Sequence, residues 1–105
     1  MKILATALLA SCATFAVTAQ AAGDAEAGAE KITTCVACHG KDGMATAPIY
    51  PNLAGQSAQY LESSLKAYRE GQRGGGMSMM MTPMAKSLSD EDIADLAAYY
   101  SQQTP

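Results

Sequence analysis

The sequence has one histidine and three cysteines, with no second C-x-x-C, no internal repeat and no run of alternating polar and apolar residues. Without alternation there is no pattern for a half-buried sheet. One histidine and three thiols, one of them near the amino terminus, are a poor set for structural zinc or an iron–sulfur cluster, which need four ligands in one place. Basic residues are scarce as well: seven Lys and Arg stand against ten Asp and Glu, a net charge of −3. That balance argues against nucleic acid and anionic lipid as partners and favours a protein with a basic patch.

At 105 residues the chain has room for one small domain, and its first stretch reads as a leader. Lys2 precedes an uncharged apolar segment that ends in small residues, and Ala19-Gln20-Ala21 offers an A-x-A cleavage pattern. Residues 1–21 are therefore expected to be a cleaved secretory signal peptide, which exports the product. A permanent membrane anchor fits less well, because Thr18 and Gln20 break the end of the apolar run. "LASC", Leu9 to Cys12, resembles a lipobox that would tether the protein through Cys12, but the signal would then be very short and the apolar run continues through Phe15 and Val17. Cleavage after Ala21 leaves a domain of residues 22–105, 84 residues long; with Lys2 gone, six basic residues face ten acidic ones, a net −4. A chain this short often needs a disulfide, metal or cofactor to complete its core.

Within that domain the helical period appears three times. "GDAEAGAEKITTC" places Ala25, Gly28 and Ile32 on one face, with acids in the early turns. "SAQYLESSLKAYREG" has Ser57 at its N-cap, an apolar stripe of Tyr60, Leu61, Leu65 and Tyr68, and Gly71 at its end. "SDEDIADLAAYYSQQ" opens with a capping box, Ser89 at N-cap and Asp92 at N3, followed by Ile93, Leu96, Ala97 and Tyr100 at i, i+3, i+4 and i+7. Two segments are expected as loops: "HGKDGMATAPIYPNLAGQ", punctuated by Gly and Pro, and "GGGMSMMMTPMAK", which holds five of the seven methionines. The fold class is all-α, three main helices joined by two long loops, with something apolar required between the loops.

"CVACHG" supplies a candidate. C-x-x-C-H is the attachment pattern for c-type heme. Cys35 and Cys38, three positions apart on a helical turn, can both reach the vinyl groups on one edge of a porphyrin, and His39 can swing beneath the ring to ligate iron. A disulfide would leave the adjacent histidine without a role, and a thioredoxin-type pair would need a βαβ context that the sequence lacks.

Together with "YPNLAGQSAQYL" and "AKSLSDEDIADLAAYYSQQ", this segment resembles the class I monohaem cytochromes c. It is similar to the short bacterial type represented by cytochrome c553, cytochrome c5 and the single domains of cytochrome c4. The resemblance implies a small class I fold wrapped around one heme c held through Cys35 and Cys38, with His39 and a methionine as iron ligands. By the family's spacing to the serine capping the last helix, Met81 is that methionine, eight residues before Ser89; Met79 and Met84 are the alternatives. A thioether suits ferrous iron and raises its reduction potential. The other methionines are read as packing against porphyrin, with Cu(I) binding as the sharper alternative. The resemblance further implies that a proline carbonyl accepts the imidazole N–H, matched by Pro48 with Pro51 as its rival. Gly28 is read as a close crossing for Tyr99 or Tyr100, and Arg69 and Arg73 as solvated surface that could also face heme propionates.

The implied function is a monomeric, non-enzymatic electron carrier of the periplasm that shuttles single electrons between a membrane-bound reductase and a terminal oxidase or reductase. With both axial positions filled, no small-molecule substrate meets the iron. The alternatives are a heme subunit of a larger oxidoreductase complex, or a copper-handling protein that uses the methionine run.

Overall fold

Asp24 opens the first helix: its side chain accepts the Glu26 amide at 2.9 Å, which satisfies one of the otherwise orphaned N–H groups. In the computed structural model, which describes residues 7–13 and 23–105, α1 runs Ala25–Lys31 and tightens into a 3-10 turn, Ile32–Thr34. A four-residue helix, α2 (Val36–His39), follows, then the long loop to α3 (Ala58–Arg69), α4 (Ser78–Ala85) and α5 (Asp90–Ser101). Among the described residues no strand forms, and no helix is long and apolar enough to cross a membrane. The leader expected over residues 1–21 falls mostly outside those residues; Cys12, within them, is exposed.

Both capping expectations hold. Ser57 accepts the Tyr60 amide at 3.0 Å, and Ser89 and Asp92 exchange side chain-to-backbone bonds at 3.0 Å each. The methionine segment differs: residues 78–85 are helical where a loop was expected. Met and Ala are unbranched or small and lose little on entering a helix. The glycines stop short of it, with Gly75 and Gly76 at positive φ supplying the turn that leads in. Pro83 lies inside the helix and cannot donate to the preceding turn, so α4 lacks one bond of its own ladder.

The core lies where α1 and α3 meet α5. Ile32, Leu61, Leu96, Ala97 and Tyr100 form one buried cluster, and Ile93 is fully buried beside α5's inner face. Gly28 makes the α1–α5 crossing possible: a Cβ there would sit 2.1 Å from the Asp95 carbonyl oxygen and 2.8 Å from Tyr99 Cβ. The close approach expected with Tyr99 is thus present, and Asp95 shares it.

A charged clamp locks the same crossing. Asp95, only 4% exposed, accepts the Asp24 amide at 2.8 Å and pairs with Lys31 Nζ at 2.7 Å; Lys31 also pairs with Asp92 at 3.0 Å. Lys31 is the first cause holding the Asp95 carboxyl below the usual 3.8, and for Asp92 the Ser89 amide comes before Lys31. Carboxyls depressed by folding stabilise the native state above their unfolded pKa, and that stability is lost as pH falls through the folded values. Thermal unfolding followed by circular dichroism is therefore expected to show a falling midpoint as pH drops below about 4. Lys31→Met should lower the midpoint at neutral pH and weaken the acid response; an unchanged acid response would assign it to other carboxylates.

Candidate functional site

The 3-10 turn delivers the chain into α2 with Cys35 as its cap: the Cys35 amide donates to Ile32 O at 2.7 Å, and the His39 amide donates to Cys35 O at 2.9 Å. One helical turn thus carries the thiols of Cys35 and Cys38 and the imidazole of His39. Gly40 ends α2 at φ 76°, where a side chain would drive Cβ to 2.2 Å from Met44 O. Helix α5 fastens the chain just beyond. The Tyr100 hydroxyl donates to Gly40 O at 3.2 Å, and the Tyr99 hydroxyl donates to Lys41 O. Burial raises the Tyr100 pKa, so this donor stays protonated.

His39 is 7% exposed, and its Nδ1 lies 2.9 Å from the carbonyl oxygen of Pro51. Pro51, and not Pro48, therefore holds the imidazole. The reason is in the loop's own bonding. The Leu53 and Ala54 amides donate to Gly43 O at 2.8 and 3.1 Å, and the Ala45 amide donates to Asn52 Oδ1 at 2.7 Å. These bonds fold the loop back on itself and turn the Pro51 carbonyl to the histidine. Donation from Nδ1 selects the tautomer in which Nε2 keeps its lone pair for a metal.

These three side chains line a cavity of ≈ 430 Å³ enclosed by α2, the loop 49–56, α3, α4 and α5. Its wall is mostly apolar: Leu53, Leu61, Leu65, Leu88, Leu96 and Ala97 contribute from all sides. Met77, Met80, Met81 and Met84 line it from the α4 side, at i, i+3, i+4 and i+7. Met81 is only partly exposed, whereas Met77, Met80 and Met84 are between 42% and 48% exposed. Met79 lies off the cavity and is 77% exposed. Desolvation raises the Cys35 thiol above its ordinary value, which suppresses the thiolate needed for disulfide exchange. No group of three His, Cys, Asp or Glu residues among those described could hold a metal, so a metal here needs the thioethers or a prosthetic group.

The donor set fits a heme c: two thiols on one turn for its vinyl edge, an imidazole with Nε2 available, and a wall of thioethers and aliphatic groups around an apolar space. Several contributors were not singled out in the sequence. The Tyr99 and Tyr100 hydroxyls reach backbone about sixty positions away, which leaves no local trace. The four-methionine face did have a signal, its helical spacing, but Gly74–Gly76 and Pro83 obscured it.

The model of the family described as "Cytochrome c" matches residues 25–104. Cytochrome c-554(548) of Halomonas halodenitrificans is 74% identical over 82 residues, covering 78% of this chain and 99% of the relative. The crystal structure of reduced recombinant cytochrome c4 from Pseudomonas stutzeri superposes with a TM-score of 0.70 at 45% identity, over 79% of this chain and 47% of that one. The thiosulfate dehydrogenase electron acceptor of Stutzerimonas stutzeri is 43% identical over 70 residues, 67% of this chain and 32% of its own length. The chain thus spans nearly all of the first relative, about half of the cytochrome c4 chain and a third of the electron acceptor.

Proposed function

This chain belongs to the cytochrome c family, and from that premise we propose that it is exported to the periplasm and carries electrons with His39 and Met81 as the iron ligands. Membership makes it an electron-transfer protein with covalently bound heme c, a group whose iron supplies a one-electron ferric/ferrous couple. The observation that carries the ligand assignment is the cavity itself. Cys35, Cys38 and His39 line it together with Met81, the one methionine of the run that is not exposed.

The chain's own residues then have separate tasks. Cys35 and Cys38 anchor the prosthetic group, and the Pro51 carbonyl fixes the imidazole's tautomer. The aliphatic wall excludes water, which favours the less charged ferrous state. The net charge of −4 left after cleavage suits brief, salt-sensitive docking on a basic patch of a membrane-bound reductase or a terminal oxidase or reductase.

A second reading, a heme subunit within a larger oxidoreductase complex, is favoured by the likeness to a protein named as an electron acceptor for thiosulfate dehydrogenase. Copurification of a stoichiometric partner at moderate salt would select it over a free carrier. Copper handling has less support. Four of the five methionines in the run line the cavity, which leaves Met79 alone outside it.

Expression with the heme-attachment machinery tests the main reading. The denatured polypeptide is expected to keep its heme on a gel, and its mass should equal one heme plus a chain beginning near Ala22. A bare polypeptide mass would overturn covalent heme. A mature chain starting at a lipidated Cys12 would overturn the soluble periplasmic location.

A further inference from the structure

Arg69 is the last residue of α3, and its guanidinium reaches three places at once. It pairs with Asp90 at 2.7 Å and Glu70 at 2.9 Å, and it donates to Leu88 O at 3.2 Å. Glu70 is its neighbour in the chain, so the other two contacts are the ones that join elements. Asp90 opens α5, and Leu88 lies in the short connection 86–89 that leads out of α4. One side chain on α3 thus ties the exit of α4 to the start of α5. Arg69 itself does not line the cavity.

We infer that Arg69 is a positioning residue for the sixth iron ligand, holding the far end of α4 so that Met81 stays at the cavity. The inference rests on the Met81 reading above. It follows from the two unequal ends of α4. Ahead of the helix, Cβ atoms built on Gly74, Gly75 and Gly76 meet nothing within 4 Å, so the entry lies in open space. Behind it, Ala85 is fully buried, and the Leu88 amide donates to Ala85 O at 3.1 Å. Arg69 then holds the Leu88 carbonyl, and the Leu88 side chain lines the cavity. A swing of α4 about those glycines, carrying Met81 off the iron, pulls Leu88 away from Arg69. The pair with Asp90 adds little alone, because Asp90 is 75% exposed and exposed pairs are screened. The Leu88 bond counts for more, since it is partly buried and its donor is charged.

The test is a titration of the ferric, heme-loaded protein with free imidazole, which competes with a thioether for iron. Its apparent affinity reads the fraction of molecules whose methionine is displaced. Arg69→Gln should raise that affinity roughly tenfold, the scale of one lost hydrogen bond from a charged donor. The long-wavelength band should fade at correspondingly lower imidazole. Arg69→Lys should restore part of the difference, because an ammonium can reach one partner but lacks the planar fork that bridges two. Lys66→Gln is the control: it removes the same charge from α3 and breaks only the pair with Glu62 on that helix. Its imidazole affinity should match the wild type. A lower thermal midpoint in Arg69→Gln with wild-type imidazole affinity would show that Arg69 serves the fold alone, and would overturn the assignment. Equal rises in Arg69→Gln and Lys66→Gln would also overturn it, by tracing the effect to net charge. Met81→Ala in the same series tests the reading beneath: a band that persists there refutes Met81 as the ligand, whatever Arg69→Gln does.

Discussion

Cys35→Ser combined with Cys38→Ser is expected to yield a chain with little helix and no cooperative melting transition. Among the described residues, the buried hydrophobic core has eight members, and three are alanines, Ala85, Ala97 and Ala98. A core that small leaves a cavity of ≈ 430 Å³ to be filled by something else. At about 24 cal/mol per Å³, leaving that space empty costs on the order of 10 kcal/mol, an upper figure because water can enter its mouth. The stability of a small domain is roughly 5–15 kcal/mol, so the loss is comparable to the whole. Serine removes the thioether links while keeping size nearly constant, which isolates attachment from packing. Far-ultraviolet circular dichroism and thermal melting of the double variant check this. Native helical content with a sharp transition would show that the helices close their core without the group.

Met81→Ala should act on the iron and leave the fold standing. The long-wavelength absorption band of sulfur-ligated ferric heme should vanish, carbon monoxide should bind without denaturant, and the reduction potential should fall. The fall is expected to be roughly 100 mV or more, since about 59 mV accompanies each tenfold loss of preference for the ferrous state in a one-electron couple. Met77→Ala and Met80→Ala should keep the band and move the potential only slightly, as changes in packing do. Met84 lies one turn beyond Met81 on the same cavity-lining face, so it is the residue placed to capture the vacated position. A band that survives in Met81→Ala and disappears when Met84→Ala is added would reveal that capture. If Met84→Ala or Met79→Ala alone destroys the band and Met81→Ala does not, the assignment moves to that residue.

Local chemistry made α5 and α3 readable in the sequence. A serine cap, an acidic first turn and an apolar stripe are short-range signals, and Ser89, Asp92, Ile93 and Leu96 play the parts their spacing implies. C-x-x-C-H was equally explicit, since three reactive groups on one turn have few other uses. Helix α4 was hidden because Gly74–Gly76 and Pro83 are breakers by composition, and only contact with the cavity shows that the residues between them coil. The choice between Pro48 and Pro51 was closed to sequence reasoning for a different reason. The two lie three residues apart in one loop, and the Asn52 and Gly43 bonds decide which carbonyl meets the imidazole. The pairing of Arg69 likewise depends on a partner distant in the chain, Asp90.

The clamp between Asp24 and Asp95 joins positions 71 residues apart, and Gly28 rests on the same part of α5. That distance sets an order of events. The first helix has no lasting partner until residue 95 has emerged, because a short isolated helix is marginal in water and its stability comes from packing. Joining the two ends also carries the entropy of closing a long loop, which slows the final step. Cys35 and Cys38 lie inside that loop, so during the interval between emergence and closure both thiols remain open to an attachment enzyme. Once α5 docks, its tyrosines pin Gly40 and Lys41. The contact that completes the core therefore forms only after both thiols have emerged.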